Sequence, residues 1–264
     1  MEFHIPNLAP DVVGHLGSLP VTNTMVNAWI AILVFLALGI LISVKVRVRP
    51  GKVQNFFEFF LEILLGYFDQ VTGERRNTMR FLPLVGAVFF FILLSNWLGI
   101  VPGTGTILFG GHFLLRPATT DLNLTAAMAV SAVALSHLYG LATVGVFTHI
   151  GRFIQIVPLI KSFRRGPIAV FTALIEVLVG LIEIVSELAK VLSLSLRLFG
   201  NVFAGEVLLS VMSALAGVLV PAPFMLLELL VGVVQAGVFA MLTLMYLSVM
   251  TTAPQHEEQH SEAR

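Results

Sequence analysis

The stretch that decides the fold runs from Pro167 to Pro221 and reads PIAVFTALIEVLVGLIEIVSELAKVLSLSLRLFGNVFAGEVLLSVMSALAGVLVP. Between these two prolines no other proline interrupts the helical pattern, and most side chains are aliphatic. One continuous helix of this length would extend on the order of 80 Å, against ~30 Å of bilayer hydrocarbon. The stretch therefore either contains two membrane-spanning helices or forms one helix that crosses at a steep tilt.

A single stripe of ionisable side chains follows this stretch. At 100° per residue all of its members fall within an arc of about 80°, and they are Glu176, Glu183, Glu187, Lys190 and Arg197. Each charge at the centre of a membrane helix costs about 2.5–3.5 kcal/mol, so lipid exposure is the least favourable environment. The stripe is either a buried ion network that joins helices, in which Glu183 or Glu187 pairs with Lys190, or a path for ions.

Arg197 differs from the rest of the stripe because its own helix does not neutralise it. The positions three and four residues away hold no acid, so a counter-charge must come from another element. Ser193, Gly200 and Ala204 lie on the same side, and small side chains let a second helix approach closely in a membrane. An arginine stays charged at any working pH, so it attracts carboxylates but does not relay protons. We therefore predict that Arg197 acts as a gate.

The composition of the whole chain agrees with a membrane protein. Of 264 residues, 57% are hydrophobic and 11% charged, and the mean hydropathy is +0.96, whereas soluble domains have about 25% charged residues. The absence of cysteine excludes disulfides and thiolate chemistry. No phosphate-binding loop, HExxH or GxSxG motif is present, and we expect no metal site, cofactor, nucleic-acid partner or catalytic activity of the chain alone.

Apolar runs outside the opening stretch predict further membrane-spanning helices, since about 20 apolar residues cross a bilayer. The predicted spans are Met25–Val44, Phe81 to near Ile100, Leu122–Gly151 and Pro223–Thr251. The run Val53–Thr72 differs, because Asn55, Glu58, Glu62 and Asp69 form one narrow polar stripe. We interpret it as an interfacial amphipathic helix, with an ordinary buried helix as the alternative. The fold class is thus all-α and polytopic.

Basic residues predict the orientation, because Lys and Arg concentrate in cytoplasmic loops. They gather after the first and third spans, at Lys45, Arg47, Arg49, Lys52, Arg75, Arg76, Arg80, Arg152, Lys161, Arg164 and Arg165. The N-terminus is therefore predicted outside. The C-terminus lies inside if the long stretch crosses once and outside if it crosses twice. Residues 1–24 lack the basic start of a signal peptide, so we interpret them as an outer segment of the mature protein.

Polar residues near the end of the long stretch and in the last span are candidates to line a channel. They are Asn201, Glu206, Glu228, Gln235 and Tyr246. Glu228 and Gln235 are seven residues apart and so share a helix face. A lone membrane amide such as Gln235 is more often a hydrogen bond between helices, whereas a membrane carboxylate such as Glu228 is more often functional.

The segment SLRLFGNVFAGE, residues 195–206, closely resembles the signature of subunit a of F-type rotary ATP synthases. Supporting matches are SNWLG at 95–99, TDLNLT at 120–125, Gln235, and YLS at 246–248. The resemblance covers roughly residues 25–251. Two positions depart from it: several bacterial relatives have histidine at the position of Glu228, and Val191 replaces a frequent proline.

The resemblance implies a stator subunit that lies against a ring of c subunits and has two offset half-channels. Arg197 would separate them, Glu206, Glu228, Asn201 and Gln235 would line the outer one, and Glu183 the cytoplasmic one. Glu187, Lys190, Glu176 and Tyr246 are weaker candidates, and Ser193, Gly200 and Ala204 form the predicted ring-contact face.

The resemblance also implies about five spans in a single membrane domain over residues 1–264, comprising an outer segment (1–24), membrane helices (25–251) and a cytoplasmic tail (252–264). The last two helices would form a long, tilted hairpin. Further partners would be peripheral-stalk b subunits, the rest of the synthase and lipid, in a bacterial plasma membrane. The alternatives are an ion-coupled secondary transporter, for which no internal repeat is visible, and a structural scaffold.

Overall fold

The computed structural model describes residues 7–47, 50–100, 108–109, 112–113, 115–153, 167–216 and 220–251, and it is almost entirely helical. The helices are α1 (Asn23–Lys45), α2 (Lys52–Thr72), α3 (Arg75–Ile100), α4 (Leu122–Val144), α5 (Val146–Phe153), α6 (Pro167–Ala216) and α7 (Pro221–Thr251). A single 3-10 turn, Ala118–Thr120, precedes α4. Within the described residues, five helices are long and apolar enough to cross a membrane: α1, α3, α4, α6 and α7. The prediction of an all-α polytopic protein is confirmed.

The long stretch forms one unbroken helix, α6, which resolves the choice that its sequence left open. At 1.5 Å per residue, a helix of 50 residues is about 75 Å long. Helix α7 returns alongside it. Asn201 bonds to Gln235, while the ring of Tyr246, farther along α7, lies beside Lys190, farther back along α6. The two helices therefore run antiparallel as a hairpin.

Helix α7 lies at the centre of the bundle, where it packs against α2, α3, α4 and α6. Phe239, Ala240 and Leu247 of α7 are completely buried, as are Phe68 of α2 and Ile92 of α3. By contrast, α6 leaves much of its apolar surface open, including Leu188 and Leu192. Lipid chains cover such apolar surface about as favourably as a partner helix does, so either can lie against this side of α6.

Glycines mark two helix boundaries, one that the apolar runs did not predict and one that they did. The predicted span Leu122–Gly151 is broken at Gly145, whose φ of 92° interrupts α4 and starts the separate α5. Gly73 with φ 72° ends α2 at Thr72, as the run Val53–Thr72 predicted, and Arg75, Arg76 and Arg80 lie in the first turns of α3. Positive φ is favourable for glycine alone, which explains why both helices stop there.

Helix α2 confirms the prediction that the segment with the polar stripe, Val53–Thr72, is helical. It packs inward through Leu64, Leu65 and Phe68, whereas Glu58 and Glu62 are exposed together with Phe56. An exposed carboxylate edge beside an exposed aromatic edge is typical of a helix at a membrane surface. Its position relative to a bilayer remains a prediction.

Short strands are a feature that the helical pattern did not predict. Val12–Leu16 and Leu19–Thr22 form an antiparallel hairpin in the N-terminal segment, and Leu108–Phe109 pairs with His112–Phe113. The first hairpin leads directly into α1, where Thr22 caps the helix by accepting a hydrogen bond from the Met25 N–H. The predicted tail, 252–264, lies outside the described residues.

Candidate ion path along the helix hairpin

Arg197 lies on an exposed face of α6, near the middle of the hairpin. Its guanidinium donates a 3.4 Å hydrogen bond to Ser193 Oγ one turn earlier, and no carboxylate of the described residues forms an ion pair with it. A charged group inside an apolar helix face is costly without a counter-charge. Arg197 is therefore positioned to attract an acid that another chain or a ligand supplies.

The small residues beside Arg197 leave space around it. Ser193 and Ala204 are exposed, and a Cβ atom added at Gly200 would meet open space. The face that they form is shallow over three turns of α6. A second helix can approach it closely, because small side chains allow tight contact in membranes.

Polar groups connect α6 to α7 on the C-terminal side of Arg197. Asn201 Nδ2 donates a 2.7 Å hydrogen bond to Gln235 Oε1, and Gln235 is buried. One turn further along α6, the Glu228 carboxyl group occupies the space above Gly205, where any side chain would overlap it. Gly205 thus lets Glu228 lie against α6, next to Asn201 and Glu206.

Glu206 is paired with Arg116, which belongs to the loop before α4 and is not among the site residues predicted from the sequence. Arg116 Nε lies 3.0 Å from Glu206 Oε1, and Nη2 lies 2.9 Å from Oε2. Arg116 also donates to the Ala9 carbonyl at 3.3 Å, and its own carbonyl accepts from Asn27 Nδ2 at 2.7 Å. We call these residues, Ala9, Asn27, Arg116 and Glu206, the Arg116 cluster.

The motifs SNWLG, at 95–99, and TDLNLT, at 120–125, lie beside the Arg116 cluster. Thr119 Oγ1 donates to Asn96 Oδ1 at 2.6 Å, and Gly99 lies against the ring of Pro117. Asp121 caps α4 by accepting from the Asn123 N–H, and it also accepts from Thr24 Oγ1. These segments therefore fix the loop that presents Arg116 to Glu206.

A second polar cluster lies on the N-terminal side of Arg197. Glu187 Oε1 pairs with Lys190 Nζ at 2.6 Å, and Glu187 Oε2 lies 3.4 Å from His137 Nε2. His137 Nδ1 lies 3.1 Å from His149 Nε2, and Lys190 Nζ is 5.3 Å from the ring centre of Tyr246. We call His137, His149, Glu187 and Lys190 the His137 cluster.

Glu183 and Glu187 were the predicted partners of Lys190, and the structure pairs Lys190 with Glu187. Among the residues described, Lys190 forms no ion pair with Glu183 or with Glu176. Glu176 and Glu183 are half-buried on α6. Sequence reasoning missed the two histidines, because they lie on α4 and α5 and share no motif with Glu187. The parts of the chain that the structure describes contain no group of His, Cys, Asp or Glu residues able to hold a metal ion.

The fold and these groups define a polytopic membrane protein with ionisable side chains inside its helix bundle, an arrangement typical of ion-translocating proteins. A family model described as the ATP synthase A chain matches residues 25–248. The chain therefore belongs to this family, the proton-translocating subunits of the ATP synthase membrane sector.

Named relatives agree along nearly the whole chain. It is 33% identical over 242 residues to ATP synthase subunit a of Moorella thermoacetica, which covers 92% of this chain and 96% of that protein. It is 35% identical to ATP synthase subunit a of Syntrophobacter fumaroxidans, with 91% and 89% covered. It is 34% identical to ATP synthase subunit a of Mycobacterium ulcerans, with 90% and 89% covered.

Proposed function

We propose that this chain carries protons through two offset half-channels, to and from carboxylates on a ring of c subunits, and so couples proton flow to rotation and ATP synthesis. The observation that carries the proposal is Arg197, a charge on an open face of α6 with no acidic partner among the described residues. A ring carboxylate that loses its proton would find its counter-charge there. A permanent charge at this point also repels protons and so keeps the two half-channels apart.

The arrangement of polar groups on either side of Arg197 supports this division. Glu206 follows Arg197 by nine residues and Glu187 precedes it by ten, about 14 Å and 15 Å along one helix. We assign Glu206, Glu228, Asn201 and Gln235 to the outer half-channel. We assign Glu183 to the cytoplasmic one, with Glu187, Lys190, Glu176 and Tyr246 as secondary candidates.

The face of Ser193, Gly200 and Ala204 is our proposed contact with the ring. Peripheral-stalk b subunits and the remainder of the synthase would be further partners, as the family membership implies. All of the chain forms one membrane domain in this proposal, with residues 1–24 outside the membrane and 252–264 in the cytoplasm.

The orientation rests on which groups share one end of the bundle. The N-terminal segment, the loop before α4 and the C-terminal part of α6 meet in the Arg116 cluster. Five alternating crossings bring those three regions to one side of a membrane. The positive-inside rule then favours an outer N-terminus and a cytoplasmic C-terminus in a bacterial plasma membrane.

The test is coupled transport by the whole complex in inverted membrane vesicles, comparing wild type with Arg197→Ala. We expect both ATP-driven proton pumping and ATP synthesis under an imposed pH gradient to be lost, while ATP hydrolysis by the soluble part continues. Arg80→Ala is the matched control, because Arg80 is an exposed arginine on another helix, α3. Pumping at the wild-type rate by the assembled Arg197→Ala complex would contradict the assignment of Arg197 as the gate.

A further inference from the structure

The His137 cluster contains two imidazoles that the family signature does not include. His137 belongs to α4 and His149 to α5, and both face the Glu187 part of α6. Their rings meet edge to face with centres 5.4 Å apart. Histidine is the side chain that ordinarily gains and loses a proton between about pH 5 and 8, so its place beside an ion path calls for a role.

The distances leave room for one proton between His137 and Glu187. A neutral imidazole has one N–H and one bare nitrogen. If His137 donates its Nδ1–H to His149 Nε2, its bare Nε2 faces Glu187 Oε2 at 3.4 Å, and two acceptors face each other. In the other tautomer, Nε2 already holds that proton. Adding a proton in the first case completes a charge-assisted hydrogen bond from His137 to the carboxylate.

Exposure separates the roles of the two histidines. The side chain of His137 is 26% exposed and that of Glu187 12%, so the pair is not sealed inside the helix bundle. His149 is 4% exposed, and its ring fills a space where a Cβ on Gly140 would come within 2.8 Å of it. His149 is held in place and fixes the direction of the His137 ring.

The titratable groups around His137 come from three other helices. The groups that face His137 are His149 from α5 and Glu187 from α6, with Lys190 of α6 and Tyr246 of α7 next to them. Lys190 neutralises Glu187, so these groups have no net charge with His137 neutral and one positive charge after it binds a proton.

We propose that His137 and Glu187 form a proton-exchange site of the cytoplasmic half-channel, with His149 as a positioning residue. The proposal rests on the function proposed above. During pumping, His137 Nε2 would take a proton from water on the cytoplasmic side. It would then return it to water nearer Arg197, so that only N–H and O–H bonds form and break.

The experiment measures ATP-driven pumping by the whole complex in inverted vesicles, where the medium sets the pH on the cytoplasmic side. His137→Gln retains a hydrogen-bonding group but takes up no proton. We expect its pumping rate to fall on the order of ten-fold, less than the 10²–10⁴ typical of an essential proton-transfer group, because water offers a parallel route. The part of the wild-type pH dependence that comes from protonation of an imidazole should disappear.

Three further measurements separate proton exchange from a structural role. Imidazole added to the medium should restore part of the His137→Gln rate, which a packing defect would not allow. His149→Gln should keep a pH-dependent rate but shift its midpoint. His15→Gln, the same change in the N-terminal hairpin, should behave as wild type.

A His137→Gln complex with an unchanged pH profile, or one slowed equally at every pH and not rescued by imidazole, would overturn the proposal. Either result can occur while Arg197→Ala still abolishes coupling, in which case the proposed function stands without this site. Retained pumping by Arg197→Ala would instead remove the function on which the site rests.

Discussion

The Arg116 cluster and the His137 cluster lie on opposite sides of Arg197 and hold their acids in different ways. Glu206 faces a guanidinium through three hydrogen bonds of 2.9–3.1 Å, and the arginine side chain is only 7% exposed. Glu187 faces an imidazole at 3.4 Å and an ammonium, and both of these partners are more exposed. The guanidinium keeps its protons, whereas the imidazole exchanges them.

This difference indicates that the role of a membrane carboxylate depends on the group with which it pairs. Through its ion pair with Arg116, Glu206 ties the N-terminal segment and the loop before α4 to α6. On the same side, Glu228 has neither ion pair nor hydrogen bond to any residue of the described segments, although it touches Gly205. We therefore expect Glu228 to exchange protons more readily than Glu206.

The largest effect should come from breaking the Arg116 pair. Arg116→Leu leaves Glu206 without its buried partner, which typically costs about 3–5 kcal/mol of stability. We expect a marked loss of assembled subunit and a lower unfolding temperature of the detergent-solubilised complex. Arg76→Leu, at an exposed position of α3, is the control.

The double variant Arg116→Leu with Glu206→Leu sharpens this test. Replacing both members of a buried pair by apolar residues is often neutral for stability, so the unfolding temperature should recover. Proton transport should stay low if Glu206 lines the path. Recovery of both stability and transport would make the pair purely structural.

A smaller effect should follow from changes at Glu228. Glu228→Gln removes the exchangeable proton, so we expect slower pumping and a changed dependence on outer pH, with unaltered assembly. Gly205→Ala should slow pumping in the same direction, because the new Cβ would occupy the place of the carboxyl group. A pH–rate profile identical to wild type in both variants would take Glu228 out of the path.

The smallest effect is expected at a pair near the surface, Arg75 and Asp69, whose 2.7 Å distance resembles that of the buried pair. Hydrogen bonds from Thr78 and Arg75 hold the pKa of Asp69 below its ordinary value of 3.8. The stabilisation is therefore complete above that value and disappears as the pH falls through the lower folded pKa.

Arg75→Gln should accordingly lower the unfolding temperature only slightly, and equally throughout about pH 5 to 8, because the pair is fully formed there but water screens exposed pairs strongly. Thermal unfolding of the variant and wild type at several pH values checks this. A loss at neutral pH as large as that of Arg116→Leu would show that burial is not what separates the two pairs.

Much of the fold could be predicted because its signals are local. Apolar length predicted the spans, and the arginine motif predicted the family. The helix break at Gly145 was missed, since a glycine in an apolar run does not reveal the sign of its φ. The roles of Arg197 and the other site residues remain predictions.

The sequence by itself determined that this is a polytopic membrane protein with one ionisable stripe, because composition and helical period depend only on neighbouring residues. Only the tertiary structure decided which groups pair with that stripe. Arg116 and Glu206 are 90 residues apart, and Glu187 is met by His137 from α4, which itself contacts His149 of α5. Such partners meet because a bundle packs its buried helix faces together, and no local pattern encodes that arrangement.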